Sequence, residues 1–468
     1  MAGLIASIIC AFVIWELFRL NREAEGDVRS SKALWIPTFW LFISLSRNVS
    51  DWLRYSSGGG GDPYLEGSPL DRTVLTLVLA LGVIVLLGRA QRAAMYLRSN
   101  LPIMLFFLYC GISVLWSDFP DVAFKRWFRA LADIVMVLIV LTDPDWPVAF
   151  RRLLTRLGFV LAPISILFIR YFPQYGRAYS RAGIPQWTGV ATDKNALGVL
   201  SLFFGLAAIL RFLQIYGEEG NRKTRPLIAQ GALIAMTFYL LWEANSATAF
   251  SCFFLAGVPM VLTYLYRWAR RPAFVHLMVI AALGISFTAL FLDVGSGMLK
   301  NLGRNSTLTG RTAIWHAVSG LVQNPVIGTG YESFWIGPRL VKVERLIEQN
   351  LNQAHNGYIE IYLNLGWVGI ALLAVVLINA YFRAVRAVRW MTPAASFRLA
   401  CFIVAVVYNF TEAGFKMTHP VWITFLMMTM VVPEVSRPEY SPPRSVGRVD
   451  DIAQRKPEAV RSLATYPA

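Results

Sequence analysis

Apolar residues along this chain gather into long runs divided by short polar breaks, the pattern produced by helices that cross a membrane. Thirteen runs stand out, at about 3–20, 33–46, 72–88, 101–116, 123–141, 156–172, 196–215, 226–243, 247–267, 273–293, 357–382, 398–415 and 419–434. Most are about 15–22 residues long, and roughly 20 apolar residues span a bilayer core as a helix. The second and the last are short. The pattern predicts an all-α fold, a polytopic helical membrane protein of about 12–13 transmembrane helices filling residues 1–434. Residues 1–20 lack the small-residue cleavage site of a signal peptide and are expected to remain as an anchor. Residues 435–468 are rich in Pro, Arg and Ser and poor in apolar residues, which predicts a disordered tail.

The longest polar break, 294–356, carries periodicity of its own. In GRTAIWHAVSGLVQ, Ile314, Val318 and Leu321 fall on one helical face, and Pro325 stops the helix. A short amphipathic helix of this kind is expected to lie on the membrane surface. A glycine turn with aromatics follows at 328–335, then a second polar helix at about 341–352.

Composition fits this picture. Hydrophobic residues make up 56% of the chain and the mean hydropathy is +0.51, against about 45–50% apolar residues in soluble proteins. The net charge of +16 would invite a nucleic-acid partner, but 27 of the 44 Lys and Arg fall in alternate breaks, at 19–32, 89–98, 151–156, 211–225, 267–271, 383–398 and after 433. That is the positive-inside bias. It puts the N-terminus outside and the tail in the cytoplasm, assigns the excess charge to anionic lipid heads, and leaves no case for nucleic acid. The outward breaks are then 47–71, 117–122, 171–195, 243–247, 294–356 and 415–419. The four cysteines lie scattered in apolar runs, with no disulfide or zinc pattern.

Candidate chemistry gathers on the outward side. His355 ends the long loop, and at 100° per residue Tyr362, Gly366 and Gly369 fall within about 40° of it on one face. An imidazole there can exchange protons near neutral pH, above a groove of glycines. Arg311 opens the first loop helix, where free N–H groups and a bidentate guanidinium favour phosphate. Arg177, Arg181 and Lys194, with Asn195, lie in an outward segment where cations run against the positive-inside bias, which makes them anion or glycan ligands; Asp193 is a candidate N-cap. Glu243 closes one run beside Asn245, Ser246 and Thr248 in a small polar patch. His276, His316 and His419 have no such setting. Asp143-Pro144-Asp145 has the spacing of a cation-binding DxD but lies in an inward break and reads as a turn.

The stretches TGRTAIWHAV, NPVIGTGYESFW and AHNGYIEIYLNLGWVG together resemble the signature region of the O-antigen ligase and polymerase family, with the flavour of the ExoQ-type exopolysaccharide polymerases. The matching positions are Arg311 and Trp315, then His355, Asn356, Gly366 and Gly369, and the resemblance extends over about 100–434. It implies a multi-span enzyme of the bacterial inner membrane with its site facing the periplasm. Its partners would be an undecaprenyl-diphosphate-linked oligosaccharide as donor and a growing polysaccharide as acceptor, alongside flippase and chain-length-regulator proteins, with no cofactor and no metal. It implies His355 as the essential histidine and Arg311 as a diphosphate ligand. Where the family often has a second cation, this chain reads NSATAF with Ala247, so Arg181 or Lys194 would supply the charge. The expected reaction is glycosyl transfer to a sugar hydroxyl. Polymerase is the first expectation; the alternatives are a ligase and a transporter or flippase of lipid-linked sugars.

Overall fold

The computed structural model describes residues 1–25, 30–54, 68–179, 183–218, 223–291, 308–347, 352–392 and 394–431. Arg181 and the tail at 435–468 lie outside the described residues. The elements are helices α1 (Ala2–Glu25), α2 (Trp35–Leu45), α3 (Val49–Leu53), α4 (Pro69–Leu87), α5 (Ala90–Ser99), α6 (Leu101–Ile112), α7 (Pro120–Leu141), α8 (Trp146–Tyr171) and α9 (Pro173–Gly176), a hairpin of β1 (Arg177–Tyr179) and β2 (Pro185–Trp187), then α10 (Lys194–Gly217), α11 (Thr224–Ala244), α12 (Ala247–Leu265), α13 (Pro272–Phe291), α14 (Leu308–Ser319), α15 (Gly337–Ile347), α16 (Gly357–Trp390), α17 (Ala395–Tyr408) and α18 (Pro420–Thr429). Among the described residues the fold is all-α apart from that antiparallel hairpin, in which Arg177 pairs with Trp187.

Each of the thirteen apolar runs coincides with a helix. Among the described residues, seven helices (α1, α4, α8, α10, α11, α12 and α16) are long and apolar enough to cross a membrane, and α5 with α6 makes an eighth candidate, bent by 91°. The runs at 33–46, 273–293, 398–415 and 419–434 form shorter apolar helices. The helix α7 carries Lys125, Arg126, Arg129 and Asp133 along its 22 residues. Asp133 is matched inside the bundle: its oxygens accept from Trp40 Nε1 at 2.9 Å and from the Thr418 N–H at 2.8 Å, as a carboxylate removed from water requires.

Burial ranks the helices. The apolar window of α10 is 67% buried, whereas those of α1 and α4 are 17% buried. Thus α10 is central, and α1 and α4 turn residues such as Leu4, Ile8, Leu77 and Leu81 outward, as the lipid-facing side of a span does. The main core joins α7, α8, α10, α12, α16, α17 and α18; a second cluster ties α1 to α8, α10 and α11. Between α7 and α8, Asp143 accepts from the Ser31 N–H at 3.0 Å, and Asp145 caps α8 through the Val148 N–H at 3.4 Å. The segment is a turn, and both aspartates are spent on backbone N–H groups, Asp145 locally and Asp143, which is buried, across to Ser31.

Two expectations change. The amphipathic helix does not present its apolar stripe to a membrane surface. Ile314 and Val318 of α14 pack with Phe334, Trp335, Val343 and Leu363, because the loop's aromatics close a small core against the first turns of α16. The second loop helix starts at Gly337, ahead of the expected 341.

The glycine groove under His355 is also different. His355 precedes α16 and is not on its face. Gly366 interrupts α16 with φ +64° and ψ −164°. A loop from Pro325 to Gly330 fills the break: Trp367 N–H donates to Pro325 O at 2.9 Å and Val368 N–H to Val326 O at 3.1 Å, while Thr329 N–H donates to Leu363 O at 3.1 Å and Gly330 N–H to Asn364 O at 2.9 Å. A Cβ on Gly366 would sit 2.3 Å from Val326 O. Glycine is needed there for the left-handed backbone and for the approach of a peptide chain, rather than for a lipid. Gly369 packs within its own helix, against Leu365 and Ile361, and the Tyr362 ring lies 5.2 Å from that of Trp367.

Candidate functional site: a carboxylate hub at the helix ends

Four helix ends meet around one carboxylate. α17 ends at Tyr408, and Asn409 folds the next residues back by accepting from the Gly414 and Phe415 N–H groups at 2.8 and 3.0 Å. This turn presents Glu412, whose side chain is only 6% exposed. The start of α16 docks on the same turn. Gly357 N–H donates to Asn409 O at 2.9 Å, and Asn356 Nδ2 donates to Phe410 O at 3.1 Å. Asn356 also caps α16, its Oδ1 accepting from the N–H groups of Tyr358 and Ile359 at 3.0 Å each. A Cβ at position 357 would strike Asn409 Oδ1, so the close approach needs glycine. Thr411 adds a hydroxyl contact of 2.7 Å to Thr248 at the start of α12.

Three predicted residues converge on Glu412. Arg311 Nη2 donates to Oε1 at 3.0 Å, Asn195 Nδ2 donates to the same oxygen at 3.1 Å, and His355 Nδ1 lies 3.2 Å from Oε2. Asn195 is held there by Asp193, which caps α10 by accepting from the Asn195 and Ala196 N–H groups at 2.8 and 3.0 Å. Arg311 projects from the first turn of α14. His355 adopts φ +52°, a left-handed conformation that costs a non-glycine residue about 1–2 kcal/mol and persists only where neighbours enforce it. Trp315 is one such neighbour, its Nε1–H donating to Ala354 O at 2.8 Å.

Other predicted residues stand apart. Arg177 lies 4.4 Å over the Trp187 ring and donates to Ile169 O at 3.1 and 3.2 Å, so it braces the hairpin instead of joining the hub. The aromatic partner arrives with β2, ten residues on, which explains why its cation looked available in sequence. Glu243 pairs with Arg170 at 3.0 Å and makes no bond to the hub. Lys194 adjoins Asn195, is partly buried, and forms no ion pair among the described residues. No cluster of three or more His, Cys, Asp or Glu that could hold a metal occurs among the described residues.

Glu412 itself escaped the sequence reading. Its signal was present: an acidic residue inside the apolar run 398–415, where ionisable groups are costly and mark sites. Chemically the hub is a fixed cation, an imidazole and an amide held at set distances by one enclosed carboxylate. Glu412 occupies Nδ1 of His355, which leaves Nε2 as the ring nitrogen for other work.

The fold and the hub define a multi-pass helical membrane protein with a polar site built from helix ends. A family model described as O-Antigen ligase matches residues 231–374, a stretch holding Arg311, Trp315, His355 and Asn356. The Exopolysaccharide production protein ExoQ of Rhizobium meliloti (strain 1021) is 28% identical over 298 residues, covering 61% of this chain. The match spans 65% of that relative's length, just under two thirds. The resemblance read from the motifs therefore holds: this chain is similar to O-antigen ligases and to an exopolysaccharide production protein.

Proposed function

We propose that the protein is a glycosyltransferase of the bacterial inner membrane. It transfers a glycan from an undecaprenyl-diphosphate-linked oligosaccharide to a sugar hydroxyl at the periplasmic face, polymerising exopolysaccharide or O-antigen repeat units. The observation that carries this reading is the convergence of Arg311, His355 and Asn195 on Glu412. In this reading residues 1–434 form the membrane domain with the N-terminus outside, 294–356 is a periplasmic loop, and 435–468 is cytoplasmic.

The chemistry needs a base for the acceptor and a cation for the leaving group. The acceptor oxygen bonds to the anomeric carbon of the donor, the carbon–oxygen bond to phosphate breaks, and the electron pair leaves with the diphosphate. His355 Nε2 takes the hydroxyl proton, and Glu412 at Nδ1 orients the ring and stabilises the imidazolium. General-base help of this kind contributes about 10²–10⁴-fold. Arg311 spends Nη2 on Glu412 and keeps further N–H donors for the diphosphate. Lys194, beside Asn195, adds a second cation. Fixed charges in a partly dry site stabilise developing phosphate charge more than water does. A ligase would use the same machinery with another acceptor, and the O-Antigen ligase match supports keeping that reading second.

The test is glycan length on gels at matched protein levels. His355→Ala and Arg311→Ala should each abolish polymer, and Arg311→Lys should reduce it by loss of bidentate geometry. Wild-type polymer from both alanine variants would end the assignment. Purified protein that makes polymer from lipid-linked repeats unaided would separate an enzyme from a transporter.

A further inference from the structure

A second carboxylate lies behind His355 and has no part in the chemistry above. Glu360, in the first turn of α16, accepts from Trp335 Nε1–H with both oxygens, at 2.8 and 3.1 Å, and from the Ala354 N–H. Trp315 holds the carbonyl of the same residue at 2.8 Å. Ala354 is fully buried. The two peptide planes that lead into His355 are thus each fixed, one by a carboxylate and one by an indole. Downstream, Asn356 and Gly357 are tied to Phe410 and Asn409. His355 sits between these ties with its left-handed φ of +52°. Without them the chain at 354–355 would relax toward the ordinary φ < 0 region and swing the imidazole off Glu412.

We propose that Glu360 is a positioning residue for His355, acting through the Trp335–Glu360–Ala354 bridge; the inference rests on the catalytic reading of His355 above. A carboxylate suits the place because both groups hydrogen-bonded to it are donors: one indole N–H and one peptide N–H share two acceptor oxygens. An amide would turn an NH₂ toward one of those donors. Glu360→Gln should therefore break one arm of the bridge. Trp335→Phe removes the indole donor and lets a glutamine keep its oxygen on Ala354. The bridge predicts a rescue: E360Q alone should be poor, W335F mild, and the double variant close to W335F.

The experiment measures kcat and donor KM for purified, monodisperse protein turning over lipid-linked repeats. E360Q should lower kcat by about 10–100-fold, since small misplacements of a reacting group cost up to about 10², with donor KM unchanged. Adding W335F should restore kcat to within about threefold of W335F alone, a coupling that independent structural lesions would not show. H355A is run alongside. If H355A turns over normally, the functional reading itself falls. If H355A is inactive but E360Q keeps wild-type kcat, or if the double variant is no better than E360Q, only the bridge proposal falls. If E360Q alone gives no monodisperse protein, the double variant decides: kcat equal to W335F supports the bridge, and a further tenfold loss overturns it.

Discussion

Removing the carboxylate of Glu412 is the sharpest perturbation this molecule offers. At 3.0 Å from Arg311 Nη2, the gross Coulomb attraction is about 5 kcal/mol at an effective dielectric near 20. Most of it is offset by desolvation, so the net stake is smaller. Breaking one partner of a fully buried pair costs about 3–5 kcal/mol. Arg311 and His355 are 19% and 28% exposed and can recruit water, which puts Glu412→Ala nearer 2 kcal/mol on the scale of charge-assisted hydrogen bonds. Glu412→Gln keeps the shape, and one amide oxygen can still accept from Arg311 or Asn195. The variant puts a neutral amide group where His355 Nδ1 met a carboxylate oxygen. Turnover of E412Q should therefore drop on the order of 10²-fold or more, with little loss of folded protein, because the base loses its orienting partner. The assay is initial rate against donor concentration on detergent-purified protein, with thermal unfolding as the control. Wild-type kcat in E412Q, alongside an inactive H355A, would refute the claim that Glu412 works through the imidazole.

Other outcomes follow from the same geometry. Gly366→Ala must relieve a 2.3 Å contact with Val326 O at positive φ and should cost about 3 kcal/mol or more, read as lost folded yield or a lowered Tm. Arg177→Ala should lower Tm, because the side chain braces the hairpin through Trp187 and Ile169, and should leave donor KM unchanged. Lys194→Ala should do the reverse, raising donor KM severalfold with Tm preserved. Trp315→Phe loses the bond to Ala354 O, worth about 1 kcal/mol, and should reduce kcat more than it raises KM.

The fold was legible because its signal is local. Each apolar run needs only its own composition to become a helix, and all thirteen did. The site was legible where a residue carries its setting with it. Arg311 at a helix start, His355 at a loop end and Asn195 after a capping aspartate all reached the hub. What failed was pairing across distance. Nothing near position 177 announces Trp187 as a stacking partner, and nothing near Glu243 announces Arg170. The glycines misled because helical periodicity was extended through Gly366, where the backbone leaves the helix. Glu412 is 57 residues beyond His355 in sequence, in a turn whose only oddity is an acid amid apolar neighbours.

The splice at Gly366 has a mechanical consequence. Peptide groups of 325–330 knit the two halves of the longest described helix together, so backbone groups freed by the break find protein partners in place of water. The loop is therefore tied to the helix it interrupts. A displacement of 325–330 would be carried into both halves of α16 through these bonds, so a variant that loosens one is expected to loosen the other.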